Sequence, residues 1–190
     1  MKKIIIGTIV ASVIYFVYQS VAWMGGLHGT PGTYTPNNNE ILNYLSQVLG
    51  EDGMYIMPMV DPGLPNRMEE EQKLMEQNVG KPWAMILYHK SMMGMEAGYI
   101  LIGFLYSLIA CLIASLIIYY GNFSSISTRF LAAFSFGLFT LSQGVLDDMN
   151  WWSYPWSFVK AEVIDLTLGW GITCLWLAWF VKKNTEVKTA

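Results

Sequence analysis

Four stretches of this chain are too long and too apolar for an ordinary soluble core: Ile4 to Trp23, about Gly94 to Tyr120, about Phe130 to Leu146 and about Val163 to Val181. Each approaches the roughly 20 residues that an α-helix needs to cross about 30 Å of hydrocarbon. Backbone amides in lipid meet no water, so such a run must satisfy its hydrogen bonds internally and becomes helical on that ground alone. The pattern predicts an α-helical integral membrane protein with four transmembrane helices. Charged residues are only 13% of the chain, about half the share found in globular domains.

The first run has a rival reading. Ser20-Val21-Ala22 resembles a small-x-small cleavage site after a signal peptide. The run exceeds an h-region of about 7–15 residues, and it carries Tyr15, Phe16 and Tyr18. It is therefore read as a retained helix over residues 1–23. The third run, about 130–146, is the shortest and is made more polar by Ser135, Ser142 and Gln143.

Basic residues set the expected orientation. Lys2, Lys3, Arg129, Lys182, Lys183 and Lys188 fall on one side of a four-helix topology. Residues 24–93 and a Trp-rich loop at 147–162 fall on the other, where acids predominate. The positive-inside rule then places both termini in the cytoplasm, in the inner membrane of a bacterium, with 24–93 and 147–162 outside. Trp23, Trp83, Trp151, Trp152 and Trp156 fall at the outer boundary, where amphipathic rings settle.

Residues 24–93 read as a small α+β extracytoplasmic cap between helices 1 and 2. A helix over Glu40 to Leu49, capped by Asn38 or Asn39, shows an apolar face at Ile41, Leu42, Leu45, Val48 and Leu49. Met54 to Met57 is strand-like, and Asp61-Pro62-Gly63-Leu64-Pro65 breaks the chain. Asn66 caps a second helix with Glu69 to Glu71 in its first turns, ended by Gly80-Lys81-Pro82. Ala84 to Tyr88 is a second strand. Two strands joined through a helix suggest a βαβ-like cap.

Candidate chemistry gathers at the same outer level. His28, His89, Glu96, Asp147 and Asp165 are titratable residues at or just inside the ends of the apolar runs, where burial is expensive and usually has a reason. Glu162 lies three residues before Asp165 on the same helical face. Imidazoles and carboxylates are ligands that a divalent metal accepts, and the same groups carry protons. The bland alternative is solvated boundary carboxylates paired with Lys90 and Lys160. No HExxH spacing is present, and no resident cofactor is predicted beyond that possible divalent metal.

Three further features have plain readings. Methionines concentrate on the outer side, and Met57-Pro58-Met59 could offer thioethers to copper, though adaptable packing explains them better. Trp151, Trp152, Tyr154 and Trp156 form either an interfacial belt or a partner-docking patch. Gly94 with Gly98, and Gly169 with Thr173, are small residues at four-residue spacing, which lets helices approach within the chain or in a homo-oligomer. Cys111 and Cys174 sit inside apolar runs and read as small hydrophobes. No basic tract offers a surface for nucleic acid.

Trp23 at the close of the first run, with Asp165, Gly169-Trp170-Gly171 and Trp176 to Trp179 in the fourth, resembles the layout of small four-span bacterial inner-membrane proteins. That resemblance implies a location and transfers no activity. The leading functional expectation is a non-enzymatic accessory or scaffolding subunit of a cell-envelope complex, presenting cap and Trp-rich loop to a membrane or envelope protein. The alternative is a metal-binding or proton-handling site at the outer rim. The third is small-molecule passage by a homo-oligomer.

Overall fold

The computed structural model describes residues 1–94 and 96–183. The chain divides into two compact units, one built from Met1–Tyr34 with the sequence after Gly94, the other from Thr35–Gly94.

The first unit is a bundle of four helices, each long and apolar enough to cross a membrane: α1 at Lys2–Met24, α4 at Ala97–Gly121, α5 at Ile126–Trp152 and α6 at Trp156–Phe180. The last two outrun the apolar windows at about 130–146 and 163–181. Hydropathy stops counting at Asp147, whereas the helical hydrogen-bond ladder continues until something breaks it. That break is Ser153-Tyr154-Pro155, where Ser153 turns left-handed (φ 53°) and Pro155 opens α6. The expected 147–162 loop is thus two helix ends joined by three residues.

In the bundle, α1 packs on α4 and α6, and α5 packs on α4 and α6. The core is made of small and medium side chains, among them Ala11, Cys111, Ala114, Ile118, Leu166 and Leu177. The seam of α1 with α4 is lined by Thr8 and Ser12 against Ser107 and Ser115. Thr8 Oγ1 donates to Ser115 Oγ at 3.0 Å, and Ser12 Oγ donates to the Thr8 carbonyl at 2.7 Å. Hydroxyls this short let two backbones approach while remaining satisfied. At the α6 C-terminus Arg129 donates to the Ala178 carbonyl at 2.7 Å and to the Phe123 carbonyl at 3.0 Å. One guanidinium thereby ties the chain just past α4 to the end of α6, whose last carbonyls have no intrahelical partner.

The seam corrects one expectation. Gly94 precedes α4, and a Cβ on Gly94 or Gly98 would meet no described atom within 4 Å. They form no packing stripe within the described chain. Gly169 and Thr173 do pack: both are buried in α6, and Thr173 Oγ1 donates to the Gly169 carbonyl at 2.8 Å.

The second unit holds α2 at Asn38–Val48, β1 at Gly53–Met57, α3 at Arg67–Asn78 and β2 at Ala84–Tyr88. Element order and strand positions follow the sequence pattern. The pairing does not: β1 and β2 run antiparallel, with Met54 opposite Leu87 and Ile56 opposite Met85, so a βαβ-like unit is excluded. Residues 58–83, with α3 among them, return the chain beside β1, and an antiparallel pair needs only such a return. Asn66 stands at the α3 N-cap position, yet its side chain donates to Glu70 Oε1 at 3.1 Å rather than capping the helix.

Candidate functional site

Beyond the end of α1 the chain turns through Gly25-Gly26-Leu27-His28-Gly29. Gly26 and Gly29 take left-handed φ values of 72° and 70°, a conformation that favours residues without a Cβ. The turn folds His28 back onto the bundle, so residues 24–34 belong with the helices and not with the second unit. The imidazole lies against the Trp23 ring at 4.5 Å. Its Nε2 is 2.5 Å from Asp165 Oδ1. Both residues are only 5% exposed. The chain after His28 is pinned by Ser157 Oγ, which donates to the Pro31 carbonyl at 2.9 Å.

His28 Nδ1 is buried and has no hydrogen-bond partner among the described residues. A neutral imidazole has one donor nitrogen and one acceptor. With Nε2 facing a carboxylate, the arrangement leaves Nδ1 as the open position, where a second proton would give an imidazolium.

Asp165 opens an irregular part of α6. Residues Asp165–Trp170 are wound as π-helix, and so are Leu141–Val145 of α5. Single π turns inside α-helices are frequent at functional sites. Widening the ladder changes which amide reaches which carbonyl, and nearby hydroxyls add donors. Thr167 Oγ1 donates to the Val163 carbonyl at 2.8 Å, Tyr18 Oη to that of Ile164 at 3.4 Å, and Ser142 Oγ to that of Phe139 at 3.1 Å.

Between the two π segments lies a cavity of about 350 Å³, whose lining includes Tyr15, Phe136, Leu141, Glu162, Asp165 and Trp170. Its wall is tight where Gly137 faces α6, since a Cβ there would collide with Leu166 and Trp170. A stripe on α1 leads into it. Trp23 Nε1 donates to Gln19 Oε1 at 3.0 Å, and Gln19 Nε2 donates to Tyr15 Oη at 3.0 Å.

The rim constellation does not assemble as expected. Among the described residues no three of His, Cys, Asp and Glu are grouped as a metal ion would require. His28 and Asp165 meet. His89 follows β2, outside any helix, and its Nδ1 is 3.4 Å from Asp52 Oδ2 within the second unit. The Lys90 backbone N–H, at 2.9 Å, and then His89 hold the Asp52 carboxyl below the usual range. Glu96 is the residue just before α4, and Asp147 lies exposed on α5. Of the tryptophan group, Trp151 and Trp152 end α5, Trp156 begins α6, and Tyr154 stacks edge-on with Phe158 at 5.2 Å. Trp151 and Trp156 are largely exposed.

Composition did not point to Tyr15, Gly137 or Trp170 as site residues, because only the packing of α1 and α5 on α6 brings them together. The Tyr15, Gln19, Trp23 spacing of four was the available signal. The chain matches no family model, no curated protein and no solved structure.

Proposed function

We propose that this is a bacterial inner-membrane protein with cytoplasmic termini whose working element is a proton-binding pair, His28 and Asp165, near the outer end of the bundle. The carrying observation is the contact of Nε2 with a buried carboxylate while Nδ1 stays open. In a bilayer, ionisable side chains at such a depth mark proton or ion sites by default. The groups that face the imidazole are Asp165 itself, Glu162, which lies within reach of both charges, and the Trp23 ring. Tyr18 stands beside Asp165 from α1.

Nitrogen-15 NMR of the His28 ring, with the protein in lipid nanodiscs, tests this reading. The ring nitrogens are expected to report gain of a second proton as pH is lowered, and Asp165→Asn is expected to alter that response. A His28 ring whose nitrogen shifts do not respond to pH sinks the proposal.

A second reading, the accessory subunit, is favoured by the sheet of the second unit. Met54 and its cross-strand partner Leu87, the latter 71% exposed, put an uncovered apolar pair on one face. Such surfaces commonly meet another protein. Native mass spectrometry from gentle detergent extraction decides: added polypeptide mass in fixed ratio supports a complex, and the lone chain or a simple multiple of it rejects one.

A further inference from the structure

The proton reading leaves the cavity unexplained, and the cavity contains an unusual residue. Glu162 lines it, is half-buried, and makes no hydrogen bond or ion pair among the described residues. Asp165, on the same wall, has His28 as its partner. A carboxylate facing a largely apolar cavity is expensive without a cation, and among the described residues the group of opposite sign that bears on it, His28, is already paired with Asp165. Arg129 is committed to carbonyls at the α6 C-terminus, beside Ala178, four helical turns from Glu162 by sequence.

The remaining walls suit a cation. Tyr15, Phe136 and Trp170 present aromatic rings, whose faces attract positive charge, and Ile113, Leu141 and Leu166 supply an apolar surface. We infer that the cavity between the two π segments binds an organic ammonium ion with an apolar body, its charge on Glu162 and its body against Phe136, Leu141 and Trp170. A phenyl ring with a short alkyl chain is of a size suited to a cavity of about 350 Å³.

The inference stands apart from the proton proposal, since it needs Glu162 and the cavity but not the titration of His28. Its test is isothermal titration of the full chain in mild detergent with 4-phenylbutylammonium, beside its neutral analogue 4-phenylbutanol. The ammonium is expected to bind saturably with one site per chain, the alcohol at least roughly tenfold more weakly, and Glu162→Gln to weaken the ammonium by a similar factor. Equal binding of ammonium and alcohol overturns the inference, because partition into detergent or a purely apolar pocket then explains both. So does an unchanged affinity in Glu162→Gln, or no saturable binding at all. Should Glu162→Gln fail to fold, the pair of probes on the native chain decides alone. Loss of binding with His28 titration intact removes this inference and leaves the proton site standing; the reverse result does the opposite.

Discussion

Asp165→Ala is expected to lower the unfolding free energy of the detergent-solubilised protein by about 3 kcal/mol, the scale on which breaking one side of a buried charged pair usually falls. The side chains of His28 and Asp165 are 1% and 7% exposed, so water cannot take over the lost contact. Removing the carboxylate would leave both imidazole nitrogens unsatisfied, since Nδ1 already lacks a partner among the described residues. Asp165→Asn should cost less, because the amide oxygen can still accept from Nε2–H. The double change His28→Leu with Asp165→Leu should recover most of the loss, as replacing both members of a buried polar pair often does. Thermal unfolding in detergent, followed by circular dichroism, provides the comparison. An Asp165→Ala protein within about 0.5 kcal/mol of the parent would mean that the pair contributes nothing to holding the turn after α1.

Gly169→Val is the second large effect, expected at about 3 kcal/mol, the upper part of the range for overfilling a packed interior. A Cβ at this position would collide with the Tyr18 ring and stand 3.3 Å from Tyr15 Cε2. Neither ring swings away freely. Tyr15 is held by Gln19 and set edge-on against Trp170 at 5.7 Å, and Tyr18 reaches the Ile164 carbonyl at the π segment. The strain therefore falls on the seam of α1 with α6, which also positions His28 over Asp165. Gly98→Val is the matched control. No described atom lies within 4 Å of a Cβ there, so its unfolding should stay within about 0.5 kcal/mol of the parent. If both variants behave alike, close approach at Gly169 is not what fixes the seam.

The two glycines show where reading by spacing stops. Gly94 and Gly98 satisfy the small-residue pattern as well as Gly169 and Thr173 do, yet only the second pair is buried. Spacing says that a face is smooth; it does not say whether a helix lies on it. The seam of α1 with α4 instead uses Thr8, Ser12, Ser107 and Ser115, whose hydroxyls satisfy themselves while keeping the backbones close. Helix ends show a related gap. The apolar windows ended α5 at Leu146 and began α6 at Val163, but the ladder ignores side-chain polarity and runs on to Ser153 and from Pro155.

What this sequence determined by itself is the set of elements: four long apolar helices, two short strands, and two polar helices between the first and second long ones. Apolar run length, periodicity and breakers act over a few neighbouring residues, and neighbours in sequence are all that such rules need. Tertiary structure alone decided the antiparallel sense of the strands, the π turns at Leu141–Val145 and Asp165–Trp170, and the choice of His28 over His89 as the partner of Asp165. These depend on where residues distant in sequence are carried, as with His28 and Asp165, 137 positions apart. The two histidines look alike in sequence. Left-handed Gly26 and Gly29 fold His28 onto α6, whereas His89, following β2, meets Asp52 of its own unit, and that difference put only the first of them in contact with a buried carboxylate.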